Sequence, residues 1–251
     1  MRPMLAVLAL AAVAAPRHAD RFSAEDVLIR SLAAYAALQS YADSGVVVGE
    51  GAGREDRFAF RTYFTRDPRN LLLNFRFLGN LYLTGNRWVP GDQRIVIWME
   101  EGEMQSWDSK AEAHQTYPSG GGRQVKALTG AAYNTVGVST LIPSLLYSKA
   151  DIVSAVRATE EPVEAGTETI GGRKCYKVMG VERYRYPSGQ VTGVRPITLW
   201  IDAETYLLRK IFQDTPKGYA RGSMLRRTTT LHPQANPRLD SKLFHYEVPE
   251  P

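Results

Sequence analysis

Two neighbouring stretches alternate apolar and polar side chains with a period of two, and that pattern commits the chain to a sheet. In 57–64, Phe58, Phe60 and Phe64 fall on one side with Thr62, while Arg57, Arg61 and Tyr63 fall on the other. In 71–77, Leu71, Leu73, Phe75 and Phe77 share a side, and Asn74 and Arg76 lie opposite. Successive strand side chains point to opposite faces, so each stretch carries one apolar wall. Asp67-Pro68 between them is a turn, which makes the pair an antiparallel hairpin with a phenylalanine-rich side.

The same reading extends along the chain. Ser23 and Asp26 form a capping box ahead of Val27, Leu28, Leu32, Tyr35 and Leu38, whose spacing predicts a helix over 23–41. Asp43-Ser44-Gly45 is expected to end it. Short strands are expected over 80–84, 94–99 and 103–107, with Glu101-Gly102 as a turn. One or two short helices, interrupted at Pro143, are expected within 126–147. Gly171-Gly172 marks a hairpin turn into 174–178, followed by strands over 183–186, 193–201, 206–213 and 226–231. Pro233, Pro237 and Pro249 keep most of the tail irregular. One mostly antiparallel sheet with a few covering helices fits this order: mainly β with a few helices, an α+β chain.

Composition narrows the class. With 251 residues, 44% of them hydrophobic and 23% charged, the chain can bury a core without staples. The lone Cys175 rules out a disulfide within the chain. The start, MRPMLAVLALAAVAAPRHAD, reads as an export signal. Arg2 is its positive end, Met4 to Val13 its apolar segment, and Ala12-Val13-Ala14 a small-x-small cleavage site. Cleavage is expected after Ala14, with Ala19 the alternative. Residues 20–251 are then expected to form a single soluble exported domain, a monomer. The apolar segment is too short to span a bilayer as a helix.

Chemistry is sparse. His18, His114, His232 and His245 are isolated and lack ligand spacing. Ser139 sits in only half of a Gly-x-Ser-x-Gly elbow and reads as a cap or packing residue. Cys175, in a strand without a neighbouring histidine, reads as a small buried hydrophobe. Glu100 with Glu101, and Glu160 with Glu161, are adjacent, so on a strand they would point to opposite faces. Asp202 is explained by turn hydrogen bonding. No metal, cofactor or catalytic residue is expected. Nucleic acid is not an expected partner either, because Arg57, Arg61 and Arg76 alternate with the aromatic residues onto opposite faces.

Four stretches carry a family resemblance: LAAYAALQSYADSGVVV, FAFRTYFTRDPRNLLLNF, GGRKCYKV with TLWIDAETYLLRKI, and LFHYEVPEP. In this order they resemble the lipoprotein-carrier superfamily of the bacterial periplasm, the LolA/LolB-like half-barrel group. The resemblance implies an open, strongly curved antiparallel half-barrel with helices covering its concave face. It further implies a non-enzymatic carrier of a lipid, an acyl chain or a lipoprotein-like apolar ligand. The chain departs from the carrier in an extra stretch near 108–168 and in Asp67 standing between the turn's arginine and Pro68, which points to a relative of the carrier. The ligand-contacting residues expected are Phe58, Phe60, Phe64, Leu71, Leu73, Phe75 and Phe77 on the wall, with Leu141 and Leu145 from a lid over 136–146 that hinges at Gly120 to Gly122. Two alternatives stand beside this reading: an envelope-stress or signalling sensor that grips a segment of a membrane protein, and a hydrolase.

Overall fold

A computed structural model describes residues 22–51, 54–78, 82–84, 87–89, 93–100, 102–117, 142–147, 155–185, 190–214 and 226–249. The expected signal segment, Gly120 to Gly122, Ser139 and Leu141 lie outside the described residues.

Helix α1 (Ala24–Ala37) opens on the foreseen capping box: the Ser23 hydroxyl accepts from the Asp26 N–H at 3.1 Å, and the Asp26 carboxylate accepts from the Ser23 N–H at 3.1 Å. It ends earlier than expected. Leu38 is already extended, and β1 (Ser40–Gly51) runs straight through Asp43-Ser44-Gly45. Those three residues are turn formers by composition, but here Tyr41, Asp43 and Val47 alternate into the interior. Packing overrides local propensity at this point.

The strands that follow are β2 (Arg54–Thr65), β3 (Asn70–Phe77), β4 (Tyr82–Thr84), β5 (Arg87–Val89), β6 (Arg94–Glu100), β7 (Glu103–Asp108) and β8 (Ala113–Tyr117). Two four-residue helices come next, α2 (Pro143–Leu146) and α3 (Ala155–Ala158). The rest is β9 (Glu160–Ile170), β10 (Arg173–Arg185), β11 (Val191–Asp202), β12 (Leu208–Gln213), β13 (Arg226–Leu231), β14 (Gln234–Ala235) and a 3-10 turn at Ser241–Phe244.

Among the described residues, twelve strands make one sheet in the order β8-β7-β6-β3-β2-β1-β13-β12-β11-β10-β9, with β14 added to β1. Every pairing in it is antiparallel. The ends β8 and β9 do not pair with each other, so the sheet is open. β4 and β5 form a separate two-stranded ribbon. The fold class is therefore the expected one, a mostly antiparallel open sheet with few helices. Besides β1, which runs through the expected turn, the alternation pattern did not foresee β5, β8, β9 or β14, and what was read as separate strands over 174–178 and 183–186 is one strand, β10.

The two faces of the sheet differ. One is buried beneath the helices: Val27, Leu28 and Tyr35 of α1, with Leu145, Leu146 and Val156, join Phe58, Phe64, Leu73 and Ile97 in a single apolar cluster. The other carries a small second cluster, where Phe244 packs on Leu72, Val96 and Trp98. No helix among the described residues is long and apolar enough to cross a membrane.

Candidate functional site

The hairpin β2–β3 places its apolar residues in cross-strand pairs: Phe58 with Phe77, Phe60 with Phe75, Phe64 with Leu71. The wall continues onto β6, where Leu71 faces Met99, Leu73 faces Ile97 and Phe75 faces Ile95. Phe58, Phe60, Phe64, Leu71, Leu73, Phe75 and Leu145 are all buried, and Phe77 packs half-buried at the margin. The expected wall residues thus share one surface, and Leu145 covers it. Pairs of this kind, aromatic against aromatic or aliphatic, each contribute a few tenths to about 1 kcal/mol beyond burial.

Among the described residues, the wall's Phe64 end is covered by Ile142, Leu145 and Leu146, all buried, on and beside α2, and by Tyr147 just after it. The Tyr147 ring meets Phe64 edge-on at 5.9 Å, and its hydroxyl donates to the Met99 Sδ at 3.8 Å. Burial pushes the Tyr147 hydroxyl well above the usual phenol range.

Arg66, in the turn after β2, holds this cover to α1. Its Nε donates to the Leu38 carbonyl at 2.7 Å, and its Nη2 to the carbonyls of Tyr35 at 3.3 Å and Leu146 at 3.2 Å. A helix leaves its last carbonyls unpaired, and one guanidinium here serves the ends of both α1 and α2. Partial burial, and then the charge of Arg69, lower the Arg66 pKa. Sequence reading noted Arg66 only as the arginine of the turn, because its acceptors lie 28, 31 and 80 residues away. Arg66→Ala is expected to raise amide exchange across 142–147 by roughly ten- to a hundredfold, since hydrogen bonds from charged donors are worth about 1.5–3 kcal/mol. Hydrogen-exchange mass spectrometry reads this directly, and unchanged exchange at Leu145 and Leu146 would rule out the clasp.

Beyond the Arg66 clasp, polar groups are buried beside α1. The Tyr41 hydroxyl donates to Asp43 Oδ2 at 2.8 Å, and the His232 N–H donates to Asp43 Oδ1 at 3.0 Å. Tyr35 stacks at a tilt on Tyr41 at 5.8 Å, and its hydroxyl accepts from the Leu208 N–H at 3.1 Å. Burial pushes the Asp43 carboxyl up to about 7, even though the hydrogen bonds from Tyr41 and His232 act the other way.

The remaining chemistry-bearing residues are dispersed. His114 stacks on Trp98 at 5.7 Å, and its Nε2 is 2.8 Å from Gln105. His245 Nδ1 is 3.1 Å from Glu100. Cys175 is buried, and burial raises its thiol pKa. Asp202 organises its turn as expected, accepting from the N–H groups of Glu204 and Thr205, both at 3.0 Å. It also pairs with Arg173 and Arg209. Burial works to raise its pKa, but these partners, led by Arg173, hold it down at about 2. Glu160 and Glu161 do not point apart: Glu161 has a left-handed backbone (φ 50°), and both carboxylates reach Arg183. Among the described residues, no group of three or more His, Cys, Asp and Glu side chains could hold a metal ion.

On the face away from the helices, a hollow of about 1040 Å³ opens over β1, β2, β3, β6 and β13. Arg57, Arg61, Arg76 and Arg94 line it, together with Ser44, Asn74, Thr228, Thr230 and His232. The sequence pattern placed the first three arginines on this face but gave no sign that they enclose a recess.

No family model matches the chain, and no curated protein matches its sequence. Among solved structures, the chain is similar to lipoprotein LppX of Mycobacterium tuberculosis, with 13% identity, coverage of 87% of this chain and 97% of LppX, and a TM-score of 0.48. It is also similar to LprF of Mycobacterium bovis, with 16% identity, coverage of 83% and 91%, and a TM-score of 0.45. A third likeness is to a LolA superfamily protein of Nitrosomonas europaea, with 11% identity, coverage of 90% and 99%, and a TM-score of 0.33.

Proposed function

We propose that this protein is a non-enzymatic, exported binding or carrier protein that holds an acyl chain or similar lipid-like ligand against the β2–β3 wall. One observation carries the reading. Among the described residues, the cover over the Phe64 end of a long aromatic and aliphatic wall is a four-residue helix, α2, tied down by the Arg66 guanidinium. A helix that short has almost no stability of its own. The side chains of Ile142, just before it, and of Leu145 and Leu146 can be exchanged for a ligand of the same polarity at little net cost in buried apolar area.

Each methylene taken out of water contributes roughly 0.8 kcal/mol, so a chain of ten contributes about 8 kcal/mol, offset by the displaced cover and the ordering of the ligand. That leaves useful affinity without any covalent step. Release then requires a competing apolar surface, such as a membrane or an acceptor protein. The aromatic side chains of Phe60, Phe64 and Phe75 supply the breadth of contact, and Arg66 sets how readily the cover lifts.

Native mass spectrometry of protein purified without detergent tests the proposal. The expected result is a population heavier by the mass of one or more acyl lipids, lost on organic extraction and restored by added fatty acid. Protein that carries no lipid and takes up none after extraction would overturn the reading.

A further inference from the structure

We propose a second binding site, on the opposite face of the sheet, that takes a compact anion bearing several phosphate groups. The sheet itself separates it from the apolar wall, so the two sites are independent.

Register builds the site. Arg57 and Arg61 flank Ala59 on β2; Ala59 pairs with Arg76 on β3, and Arg76 pairs with Arg94 on β6. Neighbouring strands lie about 4.8 Å apart and same-face residues on one strand about 7 Å apart. Four guanidinium groups therefore stand around a floor that is shallow at Ala59. Arg76 and Arg94 stand directly opposite each other on β3 and β6. None of the described residues lining the hollow is acidic. Among the described residues of its lining, the recess thus gathers four arginines and no carboxylate.

The lining also fits the chemistry of phosphate. Guanidinium forks bind phosphate oxygens in two-pronged fashion. The hydroxyls of Thr228 and Thr230 line the same hollow and can donate to further oxygens. Arg94 is held in place: its Nε donates to Asn74 Oδ1 at 3.2 Å, and its guanidinium lies 5.5 Å from the Tyr246 ring centre.

Size and shape select among anions. Arg57 and Arg61, four residues apart on one strand, are about 13 Å apart at the backbone, too far to converge on a single small ion. The volume of about 1040 Å³ lies at the upper end for small-molecule pockets. A recess also disfavours a flat bilayer surface. Single-stranded nucleic acid would need a row of stacking rings among the cations, and Trp107 and Phe60 are the aromatic residues on the lining, Phe60 with its ring on the buried face. A phosphorylated sugar, either free or as the headgroup of a lipid, has the right charge and bulk.

The test is calorimetric titration of the full protein with inorganic tripolyphosphate, alongside co-sedimentation with phosphatidylcholine vesicles with and without cardiolipin. Tripolyphosphate is expected to bind, more weakly as salt rises. The Arg61→Gln/Arg76→Gln variant is expected to weaken it at least about tenfold, as the loss of two charge-assisted contacts requires. Arg57→Gln/Arg61→Gln should weaken it comparably, while Lys177→Gln, on the same face but outside the hollow, should leave it unchanged. These side chains are exposed, and an unchanged melting temperature confirms that the variants are folded. Cardiolipin-dependent sedimentation that tripolyphosphate competes away would place the phosphates on a lipid headgroup; tripolyphosphate binding alone would place them on a free molecule. Absence of tripolyphosphate binding, or binding that both arginine variants leave intact, would overturn the proposal.

Discussion

Gly45→Ala is expected to leave the chain unfolded or insoluble, and among the glycines compared it is the one where an added methyl meets the closest neighbours. Gly45 lies on β1 between Phe60 of β2 and Leu231 of β13. A methyl group there would meet the Thr230 carbonyl oxygen at 2.2 Å and the Phe60 ring at 2.4 Å. The ring could turn aside, but only by vacating its place in the apolar wall. The carbonyl belongs to the backbone of a central strand and can retreat only by breaking the ladder. Overpacking usually costs about 1–3 kcal/mol, and loss of central pairing adds to that, so a total above about 4 kcal/mol is expected, comparable to the whole stability of many domains. The double variant Gly45→Ala/Phe60→Ala removes the ring clash and leaves the carbonyl clash, so it should remain defective. Urea denaturation of whatever soluble protein is recovered measures both. A Gly45→Ala protein with a wild-type midpoint would show that β1 and β13 approach less closely than described.

Stability should fall as pH rises from about 4 to about 7, and Asp43 is the cause. Its carboxyl is 4% exposed, and burial raises its pKa from 3.8 to about 7. A group whose folded pKa lies above its unfolded value binds its proton more tightly in the native state. Its contribution is full below the unfolded pKa and is lost as pH climbs through the folded one. The span between 3.8 and about 7 corresponds to a loss of about 4 kcal/mol. Asp202 has the opposite sign. Its pKa is lowered to about 2, so its contribution is present above the unfolded value and lost only in strong acid.

Asp43→Asn separates the two. The amide can still accept from the His232 N–H and can donate to the Tyr41 oxygen, and it cannot ionise. Below about pH 4, where neither state has lost the Asp43 proton, wild type and variant should be close in stability. At pH 8 the variant should be the more stable by a few kcal/mol, read as a shift in urea midpoint. A wild-type-minus-variant difference that is the same at both pH values would contradict a buried, proton-holding Asp43.

The hairpin at the centre of the site was legible because two independent signals agreed: alternation set the faces of β2 and β3, and Asp67-Pro68 set the turn. The start of α1 was legible from Ser23 and Asp26 for the same reason. What was hidden depended on distant partners. Asp43 and Gly45 look like turn residues until Tyr41, His232 and Phe60 close around them. The edge strand β9, EEPVEAGTETI, is largely exposed and rich in glutamate. It therefore lacks an apolar face to announce it, and charge at an edge is how a sheet avoids pairing with other chains. β8 is an edge of the same kind. The clasp made by Arg66 escaped notice because the groups it binds are backbone carbonyls, which no side-chain pattern displays.

The central claim is that an apolar chain displaces α2 and lies along the β2–β3 wall. Photo-crosslinking with a fatty acid that carries a diazirine on its tail tests it most directly, with the adducts mapped by peptide mass spectrometry. Adducts concentrated on peptides covering 58–64, 71–77 and 142–147, and suppressed by unlabelled fatty acid, are the expected result. Labelling scattered over the exposed edges β8 and β9, or none above background, would contradict the account.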